Sequence, residues 1–279
     1  MASLKCGQRM LDLSSTQVMG ILNVTPDSFS DGGKLLTGEA LDSDVLLRRA
    51  QKMVDEGASI LDIGGESTRP GAEPVSEAQE MDRVLPALEL IVRNIDVVVS
   101  LDTSNASLMR EGAALGAGMI NDVRALEREG ALEAAAESGL AVCLMHMKGS
   151  PQTMQRAPEY ASVTDEMLRY LLDRAQLCQD HGIDKSLLLL DPGIGFGKSL
   201  EHNLQLLRDS ERFLATGYGL LIGTSRKSMF GQLLNREVDE RLAGSLASVA
   251  HAAHSGASIV RVHDVRESAD VVNVIQALK

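Results

Sequence analysis

Short apolar runs recur along the chain, each followed by polar or glycine residues and then by an amphipathic stretch. Most of these runs are rich in Val, Ile, Leu and Met, and they are continuously apolar rather than alternating. That pattern is typical of parallel strands that are covered on both faces. It predicts strands at residues 19–24, 59–64, 97–102, 118–122, 140–147, 186–192, 219–224 and 258–264.

The stretches between the apolar runs have the spacing of amphipathic helices. Ser76 is followed by Gln79, which is a capping-box pattern, and Thr164 is a second candidate for a helix N-cap. Helices are predicted at residues 42–56, 76–94, 129–138, 164–181, 200–213, 238–255 and 266–278. Eight strands that alternate with helices predict an α/β fold of the (β/α)8 TIM-barrel type.

Polar residues capable of chemistry end nearly every predicted strand. An open doubly wound sheet, the alternative fold, collects such residues at one switch point, whereas a barrel gathers them in a ring at its C-terminal mouth. The distribution therefore favours the barrel. The residues are Asn23, Asp62, Asp102, Asn121, His146, Asp191, Arg226, Lys227, Arg261 and His263.

The segment before the first long strand, residues 4–13, predicts a short N-terminal β-hairpin that closes the bottom of the barrel. No internal repeat, low-complexity tract or interdomain linker is evident, so residues 1–279 are expected to form a single domain. The long insertions follow the first two strands, and long loops at a barrel mouth are where function is expected.

Charge and cysteine usage restrict the partners and the compartment. The net charge of −12 and the isoelectric point near 5.0 argue against nucleic acid and anionic membranes as partners. An anionic substrate must therefore be held by a local cluster of cations. The three cysteines are scattered without a C-x-x-C pair, which is typical of reduced thiols in a cytoplasmic protein. No apolar run approaches the length of a membrane span.

Two basic motifs are candidates for that cluster of cations. In RVHD, Arg261 and His263 lie two residues apart on a strand, so they share a face and predict an anion site. The alternative is an arginine paired with a surface carboxylate. In SRKS, Lys227 and Ser228 open a helix and suit a carboxylate or phosphate, although a simple capping serine explains that motif equally well.

Two glycine-rich motifs follow other strands. DPGIGFGKS, at residues 191–199, has the spacing of neither a P-loop nor a dinucleotide fingerprint, which leaves Asp191 as a ligand-binding residue or as a turn cap. In GGESTRPG, at residues 64–71, Pro70 restricts Arg69 to extended backbone, although a solvated loop charge is the usual meaning of such an arginine. His146 is interpreted as a packing residue.

Taken together, these motifs resemble the dihydropteroate synthase family. NVTPDSFSDGG, DIGGESTRPG, SLDTS, MINDV, LMHM, DPGIGFGK, SRKSM and RVHD occur in the family's order, from about Val18 to Val265. The resemblance implies a TIM barrel and a transferase of folate biosynthesis. Such an enzyme condenses 6-hydroxymethyl-7,8-dihydropterin diphosphate with 4-aminobenzoate, in the presence of Mg²⁺, to give 7,8-dihydropteroate and diphosphate. The resemblance also implies that the protein is a target of sulfonamides, which mimic 4-aminobenzoate, and that it forms a homodimer.

The resemblance assigns roles residue by residue. Mg²⁺ is held by Asn23. Diphosphate oxygens are held by Arg69, Arg261 and His263. The pterin ring is bound by Asp102, Asn121, Asp191 and Lys227, and 4-aminobenzoate by Thr68, Phe196 and Ser228. Asp102, Lys227 and Arg69 are the residues expected to act in catalysis.

These roles agree with the chemistry that the reaction requires. Expelling diphosphate develops negative charge, which cationic donors and Mg²⁺ stabilise. A dissociative path leaves a cationic pterin methylene beside Asp102, and the neutral arylamine then attacks without a strong general base. No His, Cys and Asp cluster has transition-metal spacing, so Mg²⁺ is expected to arrive with the substrate phosphates. The segment after Asn23, with Phe29 and the hinge Gly32–Gly33, is expected to be a mobile lid.

Two other functions remain open from the sequence. One is a methyltetrahydrofolate-binding methyltransferase domain, which has no use for a diphosphate-binding cluster such as Arg69, Arg261 and His263. The other is a non-catalytic pterin-binding homologue, which need not keep the loop motifs NVTPDSFSDGG and GGESTRPG.

Overall fold

The computed structural model describes residues 2–25, 36–37, 40–66, 75–149 and 158–279. Along the chain its elements are β1 (Ser3–Cys6), β2 (Arg9–Asp12), β3 (Gln17–Asn23), β4 (Leu36–Thr37), β5 (Ala40–Leu41), α1 (Ser43–Asp55), β6 (Ile60–Gly64), α2 (Glu77–Asn94), β7 (Val98–Asp102), α3 (Ala106–Leu115), β8 (Met119–Asp122), α4 (Ala131–Ser138), β9 (Ala141–Met145), α5 (Val163–Asp180), β10 (Leu188–Asp191), α6 (Leu200–Arg208), α7 (Ser210–Leu214), β11 (Gly219–Ile222), α8 (Ser228–Leu234), α9 (Leu242–Ser255), β12 (Ile259–Val262) and α10 (Val265–Ala277).

Eight parallel strands close into a barrel in the order β3, β6, β7, β8, β9, β10, β11 and β12. The barrel closes where β12 pairs with β3, with Val260 beside Val18. The predicted (β/α)8 barrel is therefore confirmed, and the open doubly wound sheet is wrong. All eight predicted strands are present, because each apolar run is long enough to span the height of the barrel and is covered on both faces.

The lower interior of the barrel is apolar and is closed from below by the N-terminal hairpin. Side chains alternate along each strand, so every second residue points inward. The inward residues of the lowest layer form one buried cluster with Leu4 and Leu11 of the antiparallel pair β1 and β2. The predicted hairpin is confirmed. The strand residues in this cluster are Met19, Ile60, Val98, Met119, Ala141, Cys143, Leu189, Leu221 and Ile259.

The outward strand residues pack against the surrounding helices, as α2 illustrates. Its buried face includes Val84, Leu88 and Ile91, which recur at helical spacing. Ser76 accepts a hydrogen bond from the Gln79 backbone, and the Gln79 side chain accepts one from the backbone of Ser76 in return. The predicted capping box is therefore confirmed, and it fixes the residue at which α2 begins.

The helices differ from the prediction at four places. The helix predicted at 238–255 is a 3-10 turn at Val238–Glu240 followed by α9, which begins at Leu242. The predicted set omits α3, which is ten residues long and has a single glycine. Gly112 lets the helix approach the barrel so closely that a Cβ there would lie 2.5 Å from Leu101. The stretch predicted as one helix at 200–213 is divided at Asp209. Thr164 is not an N-cap: it lies inside α5, and its hydroxyl donates to Asp209 Oδ2 at 2.6 Å.

Candidate active site

A row of polar residues lies at the upper end of four adjacent strands. Asn23 of β3 is the register partner of Gly64, Gly64 of Asp102, and Asp102 of Asn121. A Cβ built on Gly64 would lie 3.5 Å from Asn23 Oδ1 and 3.6 Å from Asp102 Oδ2. The glycine therefore leaves an open position between an amide and a carboxylate at the C-terminal mouth.

Arg261 of β12 crosses the barrel interior to meet two carboxylates from other strands. Its Nε donates to Asp62 Oδ2 at 2.6 Å, and its Nη2 donates to Asp102 Oδ2 at 2.6 Å. Asn121 Nδ2 donates to the same Asp62 oxygen at 3.1 Å. The surface-carboxylate alternative for Arg261 is wrong, because Asp62 is fully buried inside the barrel. Sequence reasoning placed Asp62 at a strand end but gave it no role.

This network has a carboxylate that is easily protonated and acceptors that lack partners. Burial raises the pKa of Asp102 to about 7, although the Arg261 guanidinium opposes the rise. Within the described residues, Asp62 Oδ1 and Ser100 Oγ are buried without a hydrogen-bond partner. Buried unpaired acceptors are rare in folded proteins, and they mark the mouth as a place where ligand donors would be accommodated.

On the opposite wall, Asp191, Lys227 and Phe196 come together. Asp191 is buried at the end of β10, and its Oδ1 accepts a hydrogen bond from the Gly193 backbone at 2.7 Å. Burial raises the pKa of Asp191 against the attraction of Lys227, and burial lowers the pKa of Lys227 to about 8. Lys227 Nζ lies 4.6 Å from the centre of the Phe196 ring and donates to the Ile194 carbonyl. A carboxylate, an ammonium group and an aromatic face thus share one wall.

The chain enters α8 through a left-handed residue. Arg226 has φ of 58°, which is unusual for a residue other than glycine, and it forms a two-pronged ion pair with Asp264. Lys227 is the N-cap of α8, and Ser228 is its first residue and is exposed. His263 follows β12, and its Nδ1 lies 3.1 Å from Ser225 Oγ. The turn therefore presents Lys227 toward Asp191 while Ser228 faces the outside.

Several predicted site residues lie outside the described part of the chain. They are Thr68, Arg69, Phe29, Gly32 and Gly33. The described residues bring together Asn23, Asp102, Asn121 and Arg261 on one side of the mouth and Asp191, Phe196 and Lys227 on the other.

His146 and Lys198 form a second polar cluster beneath the loop after β10. His146 packs edge-on against Tyr170 with ring centres 4.8 Å apart, which agrees with its interpretation as a packing residue. Burial lowers the pKa of His146 to about 3. Lys198 is 3% exposed, and its Nζ lies 3.1 Å from His146 Nδ1. Sequence reasoning missed Lys198 because buried lysines are rare, and only its place in the GFGK motif singles it out.

The described residues contain neither a preformed metal cluster nor a membrane-spanning helix. Among the described residues, no group of three or more His, Cys, Asp and Glu side chains is arranged to hold a metal ion. Asn23 offers a carbonyl oxygen at the rim, which is a ligand type that Mg²⁺ accepts. No helix within the described ranges is both long enough and apolar enough to cross a membrane.

Known proteins resemble this chain over nearly its whole length. Residues 19–263 match the model of the pterin binding enzyme family. The dihydropteroate synthase of Escherichia coli is 53% identical over 267 residues, which cover 96% of this chain and 93% of that protein.

Solved structures agree with the sequence comparison. The Yersinia pestis dihydropteroate synthase in a sulfonamide drug complex superposes with a TM-score of 0.93 at 49% identity, covering 99% of this chain and 98% of that one. The Xanthomonas albilineans dihydropteroate synthase with 4-aminobenzoic acid gives a TM-score of 0.91 at 45% identity, with the same coverage of 99% and 98%. The barrel, its mouth and these matches lead to one assignment: the chain belongs to the dihydropteroate synthase family of pterin-binding enzymes, and it is a transferase.

Proposed function

We propose that this protein condenses 6-hydroxymethyl-7,8-dihydropterin diphosphate with 4-aminobenzoate to form 7,8-dihydropteroate and diphosphate, with Mg²⁺ as cofactor. The observation that carries the proposal is the pair of carboxylates on opposite walls of the mouth: Asp191, which is buried, and Asp102, whose side chain is 11% exposed. Family membership and the named relatives support the same reaction. The proposal places the reaction in the cytoplasm.

The mouth suits the hydrogen-bonding edge of a pterin. That edge carries N–H donors beside a carbonyl acceptor, so it needs acceptors and one donor from the protein. Asp102 and Asp191 supply carboxylate oxygens, Asn121 supplies an amide, and Lys227 supplies an ammonium group. Because these groups are buried, a ligand that leaves them unpaired would bind far less well, and this is a basis for specificity.

The diphosphate is assigned to Arg261, His263 and Arg69. The bonds from Arg261 to Asp62 and Asp102 use Nε and Nη2, and an arginine carries five N–H donors, so donors remain for a phosphate oxygen. Asn23 would hold Mg²⁺ through its side-chain oxygen. When bound, the ion neutralises charge on the departing diphosphate.

The bond changes need little proton transfer. The bond from the pterin methylene carbon to the diphosphate oxygen breaks, and its electron pair leaves with diphosphate. The amine nitrogen of 4-aminobenzoate forms the new bond to that carbon and then releases one proton. Asp102 in its ionised form stabilises the positive charge on the pterin methylene, and Lys227 holds the ring from the opposite wall.

The 4-aminobenzoate site is proposed beside the pterin site, formed by Phe196, Ser228 and Thr68. Phe196 offers a flat face next to Lys227, and Ser228 stands at the start of α8. The sulfonamide complex of the Yersinia pestis relative supports the proposal that sulfonamides compete with 4-aminobenzoate here.

We also propose that the protein forms a homodimer through α6, α8 and α9. These helices line a mainly apolar groove of about 420 Å³. Leu233 is 52% exposed and Leu234 is 43% exposed beside it. A second copy of the chain would cover these side chains. Sedimentation of the Leu233→Glu variant should then show a monomer where the unaltered protein sediments as a dimer, and equal sedimentation of the two would contradict the proposal.

A product-forming assay tests the reaction. Product should require both substrates and Mg²⁺, and Asp191→Asn should lower kcat/KM by roughly a hundredfold. Asp184→Asn is a matched control, because Asp184 also accepts a backbone hydrogen bond at 2.7 Å, from Ser186, but is exposed before the start of β10, at the end of the strand opposite Asp191. Pterin binding without product would favour the non-catalytic homologue, and methyl transfer would favour the methyltransferase domain.

A further inference from the structure

The loop that carries Phe196 is pressed backbone to backbone against the segment after β9. We call residues 193–198 the Phe196 turn. Gly193 has φ of +67°, and a Cβ there would lie 1.9 Å from the His146 carbonyl oxygen. Gly197 has φ of +66°, and its Cβ would lie 2.5 Å from the Lys148 carbonyl oxygen. No side chain fits at either place, so the two backbones are in direct contact.

The Lys198 side chain joins these two segments. Its Nζ donates to the Phe196 carbonyl at 2.9 Å and to the His146 carbonyl at 3.3 Å, and it lies 3.1 Å from His146 Nδ1. An ammonium group has three N–H donors and no acceptor, so three acceptors satisfy it. All the N–H donors of this buried lysine are therefore used in holding the Phe196 turn to the end of β9.

The contact is compatible with both charge states of Lys198 near neutral pH. Because burial lowers the pKa of His146 to about 3, its imidazole is neutral and can accept a hydrogen bond. Burial lowers the pKa of Lys198 to about 7, while the nearby Asp191 carboxylate opposes that change. An uncharged amine still carries two N–H donors, so the contact does not depend on full protonation.

Other polar contacts fix the rest of the turn but leave the Phe196 carbonyl to Lys198. Asn203 Oδ1 accepts from the Gly195 backbone at 2.7 Å, and the Tyr160 hydroxyl donates to the Gly197 carbonyl at 2.7 Å. On the mouth side, Lys227 donates to the Ile194 carbonyl. Hydrogen bonds thus hold the turn at each residue from Ile194 to Gly197, and the ring of Phe196 is directed toward Lys227.

We propose that Lys198 is a positioning residue for the transferase: it holds the Phe196 turn against the end of β9, so that the aromatic ring stays where 4-aminobenzoate binds. This inference rests on the proposed function. It distinguishes the two substrates, because Phe196 lies on the turn itself, whereas the pterin residues Asp102 and Asn121 lie on β7 and β8, away from the turn. The pterin residues Asp191 and Lys227 do contact the turn, but at Gly193 and Ile194 and not at the Phe196 carbonyl that Lys198 holds. Loss of Lys198 should therefore affect 4-aminobenzoate more than the pterin substrate.

The test compares Lys198→Met with Lys185→Met. Lys185 is a matched control, since its Nζ also reaches a carbonyl, that of Thr216, at 3.3 Å and lies 4.4 Å from the Tyr218 ring centre, but it is exposed. Lys198→Met should raise the KM for 4-aminobenzoate about tenfold, the effect expected for one hydrogen bond to a charged group. The KM for the pterin substrate should rise by a clearly smaller factor, since Asp191 and Lys227 meet the turn at Gly193 and Ile194, and the control should resemble the unaltered protein.

A double-mutant cycle distinguishes positioning from general damage. In a Phe196→Ala background, Lys198→Met should add less than about twofold to the 4-aminobenzoate KM, because the ring that it positions is gone. Lys198→Gln, which keeps polar donors, is measured in parallel, so the KM ratio is obtained even where methionine prevents folding. Equal changes in both KM values, or an undiminished tenfold effect in the Phe196→Ala background, would overturn the inference. Absence of product from the unaltered protein would instead overturn the proposed function.

Discussion

Replacing Arg261 by methionine removes the cation that lies between two buried carboxylates of the barrel. Asp62 and Asp102 each accept a hydrogen bond from this guanidinium at 2.6 Å. The Asp62 side chain is 0% exposed and that of Asp102 is 11% exposed, so water cannot replace the lost partner at Asp62. Methionine keeps the length and apolar stem of the side chain, which limits the loss of packing.

The expected destabilisation follows from what each carboxylate does without its partner. Removing one partner of a buried ion pair costs about 3–5 kcal/mol. Asp102 contributes little to this loss at mildly alkaline pH, because it can take up a proton once its partner is gone. Its pKa is already about 7, so protonating it at about pH 8 costs only about 1.4 kcal/mol. Most of the loss therefore comes from Asp62. For a chain of this size the loss corresponds to a fall in Tm of roughly 6–20 °C.

The loss should shrink as the solution is acidified. Arg261 holds the pKa of Asp102 down, so in the variant that pKa lies above its present value of about 7. A carboxyl group whose pKa is raised by folding contributes stability that is present at low pH and is lost as the pH rises through the folded pKa. Above pH 7, Asp102 no longer lowers the stability of the unaltered protein further. The variant still loses about 1.4 kcal/mol of unfolding free energy per pH unit there, because its Asp102 is still protonated in the folded state.

Calorimetric Tm measurements at about pH 6 and pH 8 test this reasoning. Arg212→Met is the matched control, since Arg212 meets Asp165 at the same 2.6 Å but the two side chains are 49% and 54% exposed. Solvent screens such a pair, so its loss should leave the Tm unchanged at both values of pH. The reasoning is refuted by similar Tm shifts in the two variants, or by an Arg261→Met deficit that does not change with pH.

Three further outcomes are expected. Relative to His146→Gln, the unaltered protein should lose about 1.4 kcal/mol of unfolding free energy per pH unit as the pH falls from about 6.5 toward 3, because folding lowers the pKa of His146 to about 3; parallel pH profiles in urea titrations would contradict this. Calorimetry should show 4-aminobenzoate binding at least about tenfold more tightly once diphosphate and Mg²⁺ are present, because the sequence predicts that these two ligands join Asn23 and Arg69 beside the 4-aminobenzoate site; equal affinities would exclude binding of the diphosphate before 4-aminobenzoate. Mg²⁺ alone should bind weakly, and Asn23→Ala should reduce its diphosphate-dependent binding; tight stoichiometric metal on the free protein would contradict that expectation.

The sequence predicts the barrel well because the strand signal is local. Each strand is a short apolar run that ends in a polar residue. The runs therefore predict the strands of the barrel, and their polar ends predict which residues lie at its mouth. The hairpin at residues 4–13 and the capping box at Ser76 are local in the same way. Helix α3 is not predicted because its buried face has only Leu108, Met109 and Gly112, and Gly112 is required by the close approach to Leu101, which is a tertiary contact.

The partners of the site residues could not be predicted, because barrel closure determines them. Arg261 meets Asp62 across 199 positions of the chain, and no local pattern encodes that contact. The contact of Lys198 could not be predicted for the same reason, because it joins the loop after β10 to the His146 carbonyl after β9. Motifs identify which residues carry chemistry, whereas the closed sheet decides which of them become neighbours.

Pterin binding inside the mouth is tested most directly by a crystal structure of the protein with a dihydropterin diphosphate analogue and Mg²⁺. The edge of the ring should lie within hydrogen-bonding distance, about 2.7–3.2 Å, of Asp102, Asn121 and Asp191, with the diphosphate toward Arg261. A ring bound outside the barrel, or one inside it that touches none of these three side chains, would contradict the assignment.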